Sequence, residues 1–304
     1  MRPKRLRAGD RVALVSPAGP TPPELLDQGV AVLRSWGLDV EVAPHARDLH
    51  PALPYLAGTD ADRAQDLHDA WCDPEVRAVV CVRGGYGCLR MLDHVDWSSL
   101  AAAEPTVFAG SSDVTALHAE FAARLGVATL FSPMAGTNAF VADPAAQEHL
   151  RRTLFEPENV RTLTRPSAVT VVPGKARGIT VGGNASLVVS ALGARHEPPP
   201  PDGAIVLLED ISEEPYRLDR ILTQLLRSGW FNGVAGIALG SWVGCGRPEE
   251  TQAVLADLLG GLGVPVVGEL GFGHCPEQLT MPLGVEVELD ADARTLTVLE
   301  PALT

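Results

Sequence analysis

In the first half of the chain, short apolar runs alternate with longer amphipathic stretches, and few folds accommodate this pattern. The amphipathic stretches repeat apolar residues at helical spacing, as Leu26, Val30 and Leu33 do within residues 22–36. Strands that are each followed by such a helix pair in parallel and are covered by helices on both faces. We therefore predict a doubly wound α/β domain over residues 1–140, with strands at RVALVSP, LDVEVAP, AVVCV, TVFAG and VATLFSP.

The rest of the chain follows a different pattern. Residues 141–175 are polar and contain several prolines, which indicates a connection between domains. Residues 176–304 mix strands with fewer helices, and they end in two alternating strands around residues 290–293, a hairpin signal. The sequence predicts a smaller, sheet-rich α+β domain here, with a short polyproline spacer at residues 197–203.

Composition excludes several classes of partner. The formal charge is −14, and the only dense basic stretch is the opening MRPKRLR, so neither nucleic acid nor an anionic membrane is an expected partner. Neither a signal-peptide core nor an apolar run of membrane-spanning length is visible, which favours a cytoplasmic protein. The five cysteines form no CxxC pair, so we expect neither a disulfide framework nor a metal site, and no cofactor motif is present.

The first candidate for chemistry is Ser112 in the segment Gly110–Asp113. A buried strand runs into this segment and an amphipathic helix leaves it, so the hydroxyl would project from the carboxyl end of the sheet. The amides of the first helical turn point the same way and could donate to an oxyanion. The alternative is that Ser112 and Asp113 only cap the helix.

A nucleophilic serine needs a base and an orienting acid. His274 lies in a glycine-rich turn after the strand VPVVG, and Glu209 ends the apolar strand AIVLLE. Each has a structural alternative: a loop histidine is commonly structural, and Glu209 could instead pair with an arginine of the next helix, Arg217 or Arg220. His45, which follows a strand, is a second histidine that cannot be dismissed on its position.

Taken together, the segments resemble the LD-carboxypeptidase family of serine peptidases, which includes muramoyltetrapeptide carboxypeptidases and microcin C self-immunity proteins. The resemblance runs nearly from end to end of the chain. It is carried by seven blocks in order: LRAGDRVALVSPAGP, YLAGTDADRAQDL, DPEVRAVVCVRGGYGCLRMLDHVDW, AGSSDVTALH, VGGNASLV, IVLLEDISEEPYRLDRIL and FGHCPEQLTMPLG.

The resemblance implies a cytoplasmic hydrolase that releases D-Ala from murein tetrapeptide during peptidoglycan recycling. It assigns the nucleophile to Ser112, the acid to Glu209 and the base to His274, with backbone N–H groups of Gly85 and Asp113 as the oxyanion hole. It also implies a flavodoxin-like domain joined to a smaller sheet-rich domain, a small peptide substrate and a homodimer. The alternative within the family is hydrolysis of peptidyl- or aminoacyl-nucleotide toxins.

Three positions keep alternatives open. Ser111 stands where the family commonly has an aromatic residue, so two adjacent serines compete for the nucleophile role, and alignment on Asp113 favours Ser112. Cys275, next to His274, is either a bystander or a thiol that makes the site sensitive to oxidation. Arg83 either binds the free carboxylate of the substrate or braces the glycine loop.

Overall fold

The computed structural model describes residues 1–194 and 202–304, so the predicted polyproline spacer lies outside the described residues except for its last two positions. The strands are β1 (Arg11–Val15), β2 (Asp39–Val42), β3 (Val76–Cys81), β4 (Val107–Gly110), β5 (Thr129–Phe131), β6 (Thr162–Leu163), β7 (Val169–Val172), β8 (Lys175–Asn184), β9 (Ile205–Ile211), β10 (Gly236–Val243), β11 (Val266–Gly268), β12 (Met281–Leu283), β13 (Glu286–Asp290) and β14 (Thr295–Val298). The α-helices are α1 (Pro23–Ser35), α2 (Asp60–Cys72), α3 (Cys88–Met91), α4 (Trp97–Ala102), α5 (Thr115–Glu120), α6 (Asn138–Val141), α7 (Pro144–Phe155), α8 (Ala185–Ser190), α9 (Pro215–Arg227) and α10 (Pro248–Leu259).

The first sheet has the order β12-β5-β4-β3-β1-β2, and its five strands from the first half of the chain are all parallel. The order β2-β1-β3-β4-β5 is that of the flavodoxin-like doubly wound fold, which confirms the predicted fold class. The sixth strand, β12, comes from the end of the chain and pairs antiparallel with β5. A segment of the second half of the chain therefore completes the first sheet.

Burial along β1 shows why this sheet needs helices on both faces. Val12 and Leu14 pack into one apolar cluster with Leu26 of α1, whereas Ala13 and Val15 pack into another with Leu67 of α2. Successive side chains of a strand point to opposite faces, so a strand that is apolar at every position must be covered twice. The uninterrupted apolar run in the sequence is thus explained by two helical layers.

The second sheet has the order β6-β14-β13-β8-β9-β10-β11-β7. Its centre, β8-β9-β10-β11, is parallel, and its outer strands are antiparallel, including the predicted hairpin of β13 and β14. Residues 141–175 are more ordered than their polar, proline-bearing composition indicated: they contain α7 and the outer strands β6 and β7.

This arrangement brings chain segments from both sheets towards one region. Ser112 follows β4, Glu209 lies in β9, and His274 lies in the loop after β11. Strand β8 of the second sheet contacts α5 of the first half directly. Within the described residues, every helix is too short or too polar to cross a bilayer.

Candidate active site

The turn after β4 holds Ser112 in an unusual backbone conformation. Its φ is +59°, a left-handed value that a residue with a side chain rarely adopts. Ser112 is half-buried, whereas Ser111 is extended and only 5% exposed, so Ser112 is the more accessible of the two adjacent serines. Neither serine side chain caps the helical turn that begins here, so the capping alternative is not what the structure contains.

The imidazole of His274 is held by a buried carboxylate. Its Nδ1 lies 2.7 Å from Glu209 Oε2, and its backbone N–H donates to the same oxygen at 3.2 Å. Because the carboxylate can only accept at this position, Nδ1 carries the hydrogen and Nε2 has the free lone pair in the neutral ring. Gly273, with a φ of +90°, allows this approach, since a Cβ there would lie 2.4 Å from Glu209 Oε2.

Burial and charge act in opposite directions on this histidine. Burial lowers the pKa of His274, but the hydrogen bond and charge of Glu209, with the charge of Asp210, outweigh burial and raise it above the ordinary value. The His274 side chain is 25% exposed and the Glu209 side chain is fully buried. The pair is therefore protected from solvent on its acidic side and accessible on its basic side.

Glu209 does not use the arginines that were its alternative partners. Arg217 pairs with Glu213 at 2.7 Å, and the Arg220 guanidinium lies over the Tyr216 ring. The second contact of Glu209 is Asn184, whose Nδ2 donates to Glu209 Oε1 at 3.2 Å and to Asp210 Oδ1 at 2.9 Å. Asn184 was not singled out from the sequence, although it lies in the block VGGNASLV.

Asn184 also connects the acid to the serine turn. Its backbone N–H donates to Thr115 Oγ1 at 2.9 Å, and Thr115 begins α5, three residues after Ser112. The structure therefore brings Glu209 and His274 into direct contact and links them through Asn184 to the Ser112 turn. No hydrogen bond joins His274 to Ser112 in the part of the chain that the structure describes.

The glycine loop at residues 83–87 packs directly on the serine. A Cβ added to Gly84 would lie 2.8 Å from Ser112 Cβ and 3.3 Å from the Asp113 nitrogen, so only glycine fits there. The backbone N–H groups of Gly85 and Asp113, the predicted oxyanion donors, donate to no other group of the described residues. The predicted oxyanion role therefore meets no competing acceptor at either amide among the described residues.

Other candidate residues have partners that bear on their roles. Arg83 is exposed and its Nη1 donates to the Pro20 carbonyl at 2.6 Å, a bracing contact. Burial raises the pKa of the half-buried Cys275 thiol, which disfavours the reactive thiolate. The Nδ1 atom of His45 lies 2.8 Å from Asp66 Oδ1, so this histidine pairs with an acid other than Glu209.

Two further observations concern a nearby cavity and the possibility of a metal site. An apolar cavity of about 590 Å³ lies between α5 and α8 and borders Thr115, but Ser112, Glu209 and His274 do not line it. Among residues 1–194 and 202–304, no group of three or more His, Cys, Asp or Glu side chains is placed to hold a metal ion.

Comparisons with known proteins agree on one family. A model described as the LD-carboxypeptidase N-terminal domain matches residues 12–132, and one described as the LD-carboxypeptidase C-terminal domain matches residues 177–289. The chain is 56% identical over 303 residues to the Streptomyces coelicolor protein named "Putative carboxypeptidase SCO6489", covering 100% of this chain and 97% of that protein. It is 31% identical over 291 residues to the murein tetrapeptide carboxypeptidase of Pseudomonas aeruginosa, covering 93% and 94%.

A solved structure of similar fold is that of MccF in complex with glutamyl sulfamoyl guanosine. The TM-score is 0.87 at 22% sequence identity, covering 100% of this chain and 99% of that one. At this identity the likeness concerns the fold: a parallel α/β sheet and a second sheet-rich part in the same arrangement.

Proposed function

The chain belongs to the LD-carboxypeptidase family of serine peptidases, and from that membership we propose that it releases D-Ala from murein tetrapeptide by means of Ser112, His274 and Glu209. That it is a serine-type carboxypeptidase follows from the family itself. The substrate and the residue roles are the proposal. The observation that carries them is the 2.7 Å contact between His274 Nδ1 and the buried Glu209, which orients the imidazole as a base requires. Asn184 and Thr115 link this pair to the turn of Ser112, whose backbone is left-handed.

The proposed reaction is acyl transfer in two steps. Ser112 Oγ attacks the carbonyl that precedes the terminal D-residue, and His274 Nε2 takes the hydroxyl proton. Glu209 stabilises the imidazolium, while the Gly85 and Asp113 amides donate to the tetrahedral oxyanion. His274 then gives its proton to the leaving amine, an ester to Ser112 remains, and a water activated by the same histidine hydrolyses it.

The mechanism requires Ser112 and His274 to come within hydrogen-bonding distance when substrate is bound. Catalytic hydrogen bonds are often long without substrate and shorten in the Michaelis complex. The Thr115–Asn184 contact supports this requirement, because it holds the helix that follows Ser112 against Asn184, whose side chain contacts Glu209. A free carboxylate on the substrate would need a cation, and we propose Arg83 for it, because one of its donors braces the Pro20 carbonyl while the exposed guanidinium has others.

The resemblance to this family also leads us to propose a homodimer that acts in the cytoplasm on recycled wall peptides. A nucleotide-linked peptide is the competing substrate. Recognition of a nucleobase favours an exposed aromatic ring, and Phe155, the one aromatic residue in 141–175, is half-buried against the core. Tyr55 and Tyr86 are exposed, and their ring centroids lie 6.0 Å apart at the glycine loop. These are the rings on which the base of that second substrate could stack.

The test is to incubate the purified protein with L,D-tetrapeptide and with a peptidyl-nucleotide conjugate and to weigh the products by mass spectrometry. We expect release of D-Ala, with Ser112→Ala at least about 1,000-fold slower. Ser111→Ala is the matched control and retains most of the rate. Near-normal hydrolysis by Ser112→Ala would overturn the assignment of the nucleophile, and cleavage of the nucleotide conjugate alone would overturn the substrate.

A further inference from the structure

One peptide unit of the glycine loop is held between two buried side chains, those of Arg63 and Asp113. The N–H of Cys88 donates to Asp113 Oδ2 at 2.7 Å, and the carbonyl of Gly87 accepts from Arg63 Nη2 at 3.2 Å. Arg63 and Asp113 are each only 1% exposed. The peptide bond between Gly87 and Cys88 therefore lies between a buried guanidinium and a buried carboxylate and contacts both.

Arg63 connects this peptide to two other loops of the first half of the chain. Its Nε donates to the Pro17 carbonyl at 3.1 Å and its Nη1 to the Gly58 carbonyl at 2.9 Å. These contacts fix the loop after β1 and the loop before α2 to the same side chain. The Arg63 side chain is a rigid point, because three backbone carbonyls and the Asp60 carboxylate accept from its planar guanidinium.

The glycine loop needs such anchors. Gly85 and Gly87 have φ values of +106° and +143°, and a glycine-rich backbone has the largest conformational freedom to lose on ordering. One end of the loop is held by Gly19, whose N–H donates to the Gly84 carbonyl at 2.9 Å. The Gly87–Cys88 peptide holds the other end, and Gly85 lies between the two anchors.

We infer that Arg63 and Asp113 are positioning residues that fix the Gly85 N–H where the oxyanion of the proposed reaction forms. This inference rests on the proposed function. Asp113 contributes to the proposed oxyanion hole in two ways. Its carboxylate holds the loop that carries one oxyanion donor, and its own backbone N–H is the other donor. A transition-state donor is effective only when it is already aimed before the reaction begins.

The test compares Asp113→Ala and Asp113→Asn, with Asp66→Ala as the matched control. Asp66 is also buried and also accepts a backbone N–H, that of His45 at 3.1 Å, but it does not touch the glycine loop. We expect Asp113→Ala to lower kcat by about 100-fold with KM within about 3-fold, and affinity for a phosphonate analogue of the tetrahedral intermediate to fall by the same factor. Asp113→Asn, which keeps an oxygen acceptor for Cys88, recovers most of both losses.

Asp66→Ala is expected to lower stability without changing the ratio of phosphonate to substrate affinity. An unchanged kcat in folded Asp113→Ala, or equal losses of substrate and phosphonate affinity, would overturn the inference. If Asp113→Ala does not fold, Arg63→Lys probes the Gly87 side of the same peptide with the same readouts.

Amide hydrogen exchange of residues 83–88 separates this inference from the proposed function. We expect exchange there to accelerate in Asp113→Ala and to stay at the wild-type rate in Asp66→Ala, whatever substrate the enzyme uses. A wild-type protein that leaves L,D-peptides intact contradicts the proposed function, whereas unchanged protection of the loop in Asp113→Ala contradicts the positioning role.

Discussion

The Thr115 hydroxyl accepts the backbone N–H of Asn184 at 2.9 Å, and this bond joins the helix that begins after Ser112 to the strand that leads to Asn184. Thr115 is 3% exposed, and Thr115→Val would keep its shape while leaving the Asn184 amide without an acceptor. We expect a loss of about 1–2 kcal/mol in the free energy of unfolding, measured in urea, together with a lower kcat. Thr223→Val is the control and should change neither quantity, because the Thr223 hydroxyl donates to the Asp219 side chain in an exposed contact on α9. Equal effects of the two variants would contradict the proposed coupling.

The contact between Glu209 and His274 predicts a displaced pH profile. Glu209 raises the pKa of His274, and the proposed base works only in its neutral form, so the acidic limb of kcat/KM reports that pKa. Glu209→Gln removes the charge and lowers the pKa, which should shift the limb to lower pH while the plateau rate falls roughly 100- to 10,000-fold. Glu213→Gln changes a neighbouring carboxylate that pairs with Arg217 and should leave the limb in place. An unshifted limb in Glu209→Gln would argue against His274 as the base.

Local patterns made most of the fold predictable. The apolar runs predicted the parallel strands of the first sheet, because each of these runs is buried on both faces. The alternation of apolar and polar residues around residues 290–293 predicted the β13–β14 hairpin, because side chains along a strand repeat with a period of two. The resemblance named Glu209 and His274, which the structure brings into contact.

Other relationships depend on distant segments that no local pattern connects. Strand β12 joins the first sheet from the far end of the chain, and its three residues contain nothing that specifies the partner β5. Arg63 has the sequence surroundings of a solvent-exposed helical arginine, yet it is buried because three backbone carbonyls from separate loops converge on it. Asn184 reaches two carboxylates for the same reason, since its neighbours in space are 25 and 26 residues away in sequence.

The packing of Gly84 on Ser112 predicts a large effect from a single methyl group. In Gly84→Ala the new Cβ would lie 2.8 Å from Ser112 Cβ, so the loop or the serine must move. We expect kcat to fall by about 100-fold, since a displacement of an ångström at a reacting group has that order of effect. Gly260→Ala is the control, because a Cβ there meets nothing within 4 Å. A Gly84→Ala enzyme as active as Gly260→Ala would mean that the loop and the serine are not in functional contact.

The surroundings of Cys275 predict an unreactive thiol. Burial raises its pKa, so little thiolate is present near pH 7 and both alkylation and peroxide oxidation should be slow. We expect iodoacetamide at pH 7 to leave activity intact over the time in which a free thiol reacts, and Cys275→Ala to keep kcat/KM within about 3-fold. Mass spectrometry of the modified peptide identifies the site. Rapid labelling of Cys275 with parallel loss of activity would instead support the oxidation-sensitive alternative.

Two histidines, the buried His118 and the half-buried His149, predict a loss of stability in acid. The pKa values of His118 and His149 are lowered to about 4, chiefly by burial, from an ordinary value of 6.5. His118 donates through Nε2 to the Gly110 carbonyl and accepts the Thr129 hydroxyl at Nδ1, so its neutral ring has both nitrogens bonded beside the serine turn. The unfolded chain takes up these protons below pH 6.5 and the folded chain does not, so stability is complete above pH 6.5 and falls as the pH drops towards about 4.

For His118 this amounts to about 3 kcal/mol, from the size of its pKa change. Urea unfolding at pH 7.5 and pH 4.5 measures the loss. His118→Gln should be less stable than wild type at pH 7.5, because the paired ring is gone, but its stability should change less between the two pH values. His94→Gln, at an exposed position, should show the full wild-type pH dependence. If His118→Gln instead keeps that full dependence, His118 is protonated in the folded chain and does not anchor the turn as a neutral ring.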